Sequence, residues 1–137
     1  MRTLIVDDEL NNRYLLQQIM APYGECDLAE NGAEALEFFQ AAMEDGVPYD
    51  LVLLDIMMPV MNGQDALRAI RSYENQQGHS GSQETVIIMV SALDTENHVV
   101  NAFFKGGCTD YLTKPVMRPT LLAKLQEYNL IHPGNDT

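Results

Sequence analysis

The chain alternates short apolar runs with longer segments in which apolar residues recur every three or four positions. The short runs show no polar alternation, which is typical of parallel strands that are buried on both faces. The longer segments have the spacing of amphipathic helices with one apolar stripe each. We predict five strands, at Thr3–Val6, Cys26–Ala29, Leu51–Leu54, Val86–Val90 and Asp110–Thr113.

A helix is predicted after each strand. Glycine, proline and asparagine residues at the ends of the apolar stripes mark where the helices begin and stop. The predicted helices lie at Asn11–Ala21, after Asn31-Gly32 with Leu36, Phe39 and Met43 on one face, from about Asn62 to Tyr73, around Val99–Phe103, and from Pro119 to about Tyr128.

Five strand–helix repeats predict one α/β domain with right-handed crossovers. The expected fold is a doubly wound, three-layer (βα)5 sandwich of flavodoxin-like topology, with a parallel five-stranded sheet in the order 2-1-3-4-5. Residues 1–131 would form the domain and residues 132–137 a flexible tail. The polar, Gly/Ser-rich segment Ser72–Thr85 is predicted to be a flexible, solvated insertion on the face opposite the carboxyl ends of the strands.

Composition narrows the function classes. The 137 residues fit one domain, and a net charge of −12 disfavours direct contact with nucleic-acid phosphates. No apolar stretch approaches the roughly 18–20 residues of a membrane span, and the short apolar run at the N-terminus is not a signal peptide. Cys26 and Cys108 form no Cys-x-x-Cys motif, which favours ordinary thiols in a reducing cytoplasm.

The functional signal lies where the predicted strands end. Strand 1 ends at Asp7 and Asp8, strand 3 at Asp55 and strand 4 at Ser91, while Lys114 follows strand 5. In the predicted order these four strands are neighbours, so their carboxyl ends line one pocket. Three converging carboxylates repel one another, and a hard divalent cation, usually Mg²⁺, relieves that repulsion.

Phosphoryl transfer is the chemistry that fits this set. A carboxylate can accept a phosphoryl group as an aspartyl phosphate. Lys114 supplies a compact positive charge for a phosphoryl oxygen, and Ser91 supplies a neutral hydroxyl donor. Taken singly, Asp8 or Asp55 fits a cap or turn equally well, Ser91 fits a cap, and Lys114 fits a surface charge. The joint placement at adjacent strand ends is what favours a site.

Four motifs carry a resemblance to a known family. They are Val6–Glu9, Leu53–Pro59 followed by Asn62-Gly63, Val90–Ala92, and Tyr111–Pro115. Together they resemble the receiver domain of two-component response regulators, over about residues 1–128. The resemblance implies a phosphorylation-dependent switch of a phosphorelay, with slow autodephosphorylation and no independent substrate turnover.

The resemblance also implies the roles of the pocket residues. Asp55 is the phosphate acceptor. Asp8 and Asp55 ligate Mg²⁺, for which Mn²⁺ can substitute, together with the backbone carbonyl of Met57. Asp7 holds the water shell of the metal, and Lys114 contacts the phosphoryl group and Asp55.

The switch residues implied by the resemblance are Ser91 and Tyr111. Ser91 turns to hydrogen-bond the phosphate, and Tyr111 follows by turning inward, although a half-buried core aromatic is the alternative for Tyr111. The Lys114–Pro115 peptide bond is expected to be cis. Expected partners are a sensor histidine kinase or histidine phosphotransfer protein, an effector at the surface of helix 4, strand 5 and helix 5, and a second copy after phosphorylation.

Two positions concern the lifetime of the phosphoryl group. Met57 lies two residues after Asp55, and Leu93 lies two residues after Ser91. In receivers these positions border the path of the attacking water, and neither side chain can orient water by hydrogen bonding. We therefore predict a comparatively long-lived phosphoryl group, the alternative being that both side chains only cover apolar surface.

Three other readings share parts of the pattern. A flavodoxin-like cofactor binder needs an anion-binding loop after strand 1, where Asp7-Asp8-Glu9 would repel phosphate. A phosphatase with an aspartyl-phosphate intermediate places its nucleophile after strand 1 and a second aspartate two residues on, where this chain has Glu9. A degenerate receiver usually lacks a key residue, and none is missing here. No output domain follows the last helix, so a stand-alone regulator and a module of a longer protein, such as a hybrid kinase, both stay open.

Overall fold

The structure is a computed structural model that describes residues 1–79, 81–91 and 107–132. The strands in these ranges are β1 (Arg2–Val6), β2 (Glu25–Ala29), β3 (Leu51–Asp55), β4 (Val86–Ser91) and β5 (Asp110–Thr113). The α-helices in the same ranges are α1 (Leu10–Met20), α2 (Gly32–Glu44), α3 (Gly63–Gln76) and α4 (Arg118–Glu127). Short 3-10 turns lie at Ala21–Tyr23 and Gly81–Gln83.

The five strands form one parallel sheet in the order β2-β1-β3-β4-β5. The register pairs Val6 of β1 with Ala29 and Leu54, Asp55 of β3 with Val90, and Ser91 of β4 with Thr113. The carboxyl ends of the four strands β1, β3, β4 and β5 therefore stand side by side at one edge. The predicted fold class and strand order are confirmed.

Helices cover both faces of the sheet because strand side chains alternate between the two faces. On one face the apolar stripes of α2 and α3 pack against residues such as Leu4, Val52 and Leu54. On the other face α1 and α4 pack against residues such as Ile5 and Leu53. This burial on both sides explains why β1, β3 and β4 consist largely of apolar residues without alternation, whereas the edge strands β2 and β5 contain polar and partly exposed residues.

The helix that follows β3 starts close to the carboxyl edge of the sheet. The side chain of Asn62 accepts a hydrogen bond from the backbone N–H of Asp65, 2.9 Å away, and so caps α3. A Cβ atom at Gly63 would lie only 2.1 Å from the backbone oxygen of Asp55, so glycine is required for this approach. The Asn62-Gly63 pair therefore fixes the loop that follows Asp55.

The prediction of a flexible, solvated insertion at Ser72–Thr85 is wrong for the residues that continue α3, although most described residues of the segment are exposed, as predicted. Helix α3 continues to Gln76, and Glu74 and Thr85 are buried. Within it, Glu74 forms a buried ion pair with Arg71 of the same helix at 2.7 Å, whereas residues such as Asn75 and Gln77 are exposed. The remaining connection leads into the amino end of β4. It therefore lies at the end of the sheet opposite the carboxyl ends of the strands, as predicted.

The other predicted elements either agree with the structure or lie outside the described residues. Strand and helix bounds elsewhere agree to within about three residues, an ordinary uncertainty for element ends. The helix predicted around Val99–Phe103 and the tail residues 133–137 lie outside the described residues. Within the described ranges, no helix is long and apolar enough to cross a membrane.

Candidate functional site

Three carboxylates meet at the carboxyl edge of the sheet. Asp7 directly follows β1, Asp8 comes next, and Asp55 is the last residue of β3. Each offers an oxygen atom that lies within 4.8 Å of the other two. Asp7 and Asp55 are 1% and 4% exposed, whereas Asp8 is open to solvent. The predicted convergence of these residues is therefore present in the structure.

Lys114 is the cation of the cluster. Its ammonium nitrogen lies 3.0 Å from Asp7 Oδ2 and 3.4 Å from Asp55 Oδ2. Burial lowers the pKa of Lys114, but the hydrogen bond to Asp7 and the charges of Asp55 and Asp7 outweigh it, so the pKa is raised overall. Lys114 thus carries a full positive charge between the two buried carboxylates.

Asp55 holds its proton more tightly than an ordinary aspartate. Burial, followed by the negative charge of Asp7, raises its pKa to about 6, against the partial opposition of Lys114 and of the Met57 N–H. One lysine therefore does not balance the carboxylates around it. The set of three oxygen donors with excess negative charge fits a hard divalent cation, which prefers such ligands.

The loop after Asp55 turns back over the site. The N–H of Met57 donates a hydrogen bond to Asp55 Oδ1 at 3.3 Å, and the N–H of Gly63 donates one to the Ile56 carbonyl at 2.9 Å. The Met57 side chain is 57% exposed. This places the Met57 backbone next to the Asp55 carboxylate, while the role of the Met57 carbonyl as a metal ligand stays a prediction.

Ser91 and Tyr111 occupy the neighbouring strands. Ser91 ends β4 as a buried residue, and its carbonyl accepts a hydrogen bond of 2.8 Å from the Lys114 N–H. Tyr111 lies on β5 opposite Met89 and is 38% exposed. The Lys114–Pro115 bond is cis, as expected. The switching roles of Ser91 and Tyr111 stay predictions, and Leu93 lies outside the described residues.

The sequence analysis missed one residue of the site. Arg13 of α1 is buried, and its Nη1 donates a hydrogen bond of 2.7 Å to the backbone carbonyl of Asp7. The signal was present, because Arg13 stands at helical spacing from Leu16 and Met20, on the buried face of α1. A charged residue in an apolar stripe indicates a buried polar contact.

Comparison with known proteins agrees with this geometry. The family model for the response regulator receiver domain matches residues 3–126. A two-component response regulator of Oryza sativa subsp. japonica is 34% identical over 132 residues, which cover 94% of each chain. The chain spans only 7–16% of four longer relatives, among them a hybrid signal transduction histidine kinase of Dictyostelium discoideum and the sensor histidine kinase GacS of Pseudomonas protegens.

Solved structures show the same fold. A co-crystal of a histidine phosphotransfer protein and the receiver domain of its downstream response regulator, from Saccharomyces cerevisiae, matches with a TM-score of 0.80 and 28% identity, covering 99% of this chain and 95% of that chain. A Borrelia burgdorferi complex of CheX with CheY, BeF3 and Mg²⁺ matches with a TM-score of 0.79 and 28% identity, covering 93% and 87%. The family match and the shared fold establish that this chain belongs to the receiver domains of two-component response regulators.

Proposed function

We propose that the chain is a phosphorylation-dependent switch that accepts a phosphoryl group on Asp55 from a phosphohistidine, with Mg²⁺ bound beside it. The observation that carries the proposal is the placement of Asp55, a buried carboxylate 3.4 Å from a lysine and grouped with two further carboxylates. The donor is a sensor histidine kinase or a histidine phosphotransfer protein. The similar yeast receiver was crystallised with a phosphotransfer protein, which supports the second kind of donor.

Each residue of the pocket would have a separate role in the transfer of the phosphoryl group. A carboxylate oxygen of Asp55 forms a bond to phosphorus while the bond from phosphorus to the donor imidazole nitrogen breaks, and that nitrogen keeps the electron pair. Lys114 neutralises charge on a phosphoryl oxygen. Asp8, Asp55 and the Met57 carbonyl would hold the cation, and Asp7 its water shell. When bound, Mg²⁺ supplies the charge neutralisation that one lysine cannot, and the similar CheY complex contains this ion.

The response follows from the strands next to Asp55. Phosphate on Asp55 would draw in the hydroxyl of Ser91, and Tyr111 would turn from its half-exposed position toward the space that Ser91 leaves. This changes the surface of β5, α4 and the helix predicted before β5, where an effector or a second copy would bind. The switch unit is residues 1–131, acting in the cytoplasm without contact to nucleic acid and without turnover of an independent substrate.

Phosphorylation by a small donor tests the proposal directly. Wild type incubated with acetyl phosphate and Mg²⁺ is expected to gain the mass of one phosphoryl group, and EDTA is expected to prevent the gain. Asp55→Asn removes the nucleophile and is expected to stay unmodified. Asp45→Asn, an equal change at an exposed position after α2, is the matched control and is expected to behave as wild type. An unmodified wild type, or a modified Asp55→Asn, would contradict the proposal.

The phosphorylated protein is expected to be long-lived. Met57, whose N–H donates to Asp55, has an exposed side chain that cannot orient a water molecule for attack on phosphorus. Loss of phosphate from the purified protein, followed by intact mass, is expected to take minutes or longer. Met57→Asn introduces a hydrogen-bonding group at the same place and is expected to shorten the half-life severalfold. A half-life of seconds in wild type, or no change in Met57→Asn, would count against this interpretation.

A further inference from the structure

We propose that Arg13 is a positioning residue that holds the Asp7–Glu9 loop in the shape required for cation binding. The inference rests on the proposed function of the site, since the cation is the one that would accompany phosphorylation of Asp55. Arg13 lies in the first turns of α1, directly after the loop that carries Asp7 and Asp8. Its buried guanidinium reaches back to the Asp7 carbonyl at 2.7 Å.

The burial of Arg13 is not explained by its ion pair. Its carboxylate partner Glu30 lies 3.8 Å away with a side chain that is 68% exposed. An ion pair with so exposed a partner contributes little to stability. The shortest contact of the buried guanidinium is instead the neutral carbonyl of Asp7. A buried charge whose shortest described contact is a backbone carbonyl indicates that the position of that carbonyl matters.

Asp7 makes four polar contacts, with residues of four different parts of the fold. Its N–H donates to the Ala29 carbonyl of β2 at 3.1 Å, and its Oδ1 accepts from the Glu9 N–H at 2.9 Å. Its Oδ2 faces Lys114 at 3.0 Å. The bond from Arg13 to the carbonyl adds a side chain of α1 to this set. Without it, the tie between α1 and the Asp7 backbone is lost, and the orientation of the loop carboxylates becomes less fixed.

Removal of Arg13 would change the affinity for the cation in opposite directions through its charge and through its positioning role, which makes the inference testable. By Coulomb's law alone, removing a positive charge that contacts the Asp7 backbone, next to the carboxylate cluster, strengthens cation binding. Loss of positioning weakens cation binding, and outer-shell groups of metal sites are typically worth about 10–100-fold in affinity. A purely structural role for Arg13 would lower the stability of the protein and leave the affinity of the folded protein unchanged.

The experiment measures the Mg²⁺ dissociation constant by calorimetry, with no phosphodonor present. Arg13→Met keeps the apolar stem and is expected to weaken Mg²⁺ binding about tenfold. Arg68→Met is the matched control, because it removes the same charge from a half-exposed residue of α3 whose described ion pair is with Asp65. The control is expected to bind Mg²⁺ as wild type does. Arg13→Lys, which keeps the charge and one donor, is expected to recover part of the affinity.

A second measurement follows the loop without any metal. In EDTA, hydrogen exchange of the Glu9 amide is expected to be faster in Arg13→Met than in wild type, because that amide donates to the Asp7 side chain. If Arg13→Met proves too unstable, Arg13→Lys gives the same two readouts. Unchanged or tighter Mg²⁺ binding in a folded variant would overturn the inference. Because no phosphodonor is used, this result is distinguishable from failure of Asp55 to be phosphorylated.

Discussion

Replacing Glu74 with alanine is expected to lower the free energy of unfolding by about 3–5 kcal/mol, the range for breaking one side of a buried ion pair. The Glu74 side chain is 1% exposed, and its Oε1 accepts a hydrogen bond from Arg71 at 2.7 Å. Its Oε2 accepts from the Thr85 N–H at 2.7 Å. Alanine would leave the Arg71 charge largely buried and the Thr85 N–H without this acceptor. Urea denaturation of the two proteins at neutral pH measures the loss.

The same pair connects three elements, which is why the effect should be large. Arg71 of α3 also donates to the Thr85 carbonyl at 2.8 Å, before β4, and to the Gly107 carbonyl at 2.9 Å, before β5. Arg68→Ala, which breaks a half-exposed ion pair with Asp65 on the same helix, is the matched control. It is expected to cost no more than about 1 kcal/mol. Equal losses in the two variants would show that the buried network contributes nothing special.

The segment around Glu74 also shows where sequence reasoning fails. Continuous apolar runs predicted β1, β3 and β4, because a parallel sheet covered on both faces leaves such a signal. The edge strands β2 and β5 were also placed correctly, although they contain polar residues. Ser72–Thr85 was interpreted as solvated from its polar composition. Composition does not distinguish a polar residue in water from one paired inside the protein, and the Arg71–Glu74 pair is of the second kind. The helix therefore continues three residues beyond the predicted end at Tyr73.

The part of the candidate site that depends on the order of the strands was predictable from the sequence. Once the strand order is known, the carboxyl ends of β1, β3, β4 and β5 lie side by side at one edge, so the grouping of Asp7, Asp55 and Lys114 was predictable from the sequence. The contact of Arg13 with the Asp7 carbonyl depends on the rotation of α1 about its axis, which strand order does not fix. The proton affinity of Asp55 depends on its depth and on its distance from Asp7, which only the structure supplies.

That proton affinity leads to the second large effect. Asp55→Asn is expected to raise the free energy of unfolding in EDTA at pH 7.5 by about 1–3 kcal/mol. The pKa of Asp55 is raised from an ordinary value of 3.8 to about 6, because burial and the charge of Asp7 disfavour its charged form. The folded protein thus binds this proton more tightly than the unfolded chain does. The contribution of Asp55 to wild-type stability therefore falls as the pH rises through the interval from about 4 to about 6, and asparagine removes that loss.

Denaturation curves at several pH values and with Mg²⁺ separate this cause from a general effect of the substitution. The advantage of Asp55→Asn should shrink toward pH 4, where wild-type Asp55 is protonated in the folded protein. It should also shrink at pH 7.5 when Mg²⁺ is added, because the cation binds the charged wild-type carboxylates and stabilises the folded state by mass action. An advantage that is constant across pH and Mg²⁺ would mean that charge repulsion at Asp55 is not its origin. Charge repulsion at Asp55 would then also fail to support the proposed requirement for a cation in phosphorylation.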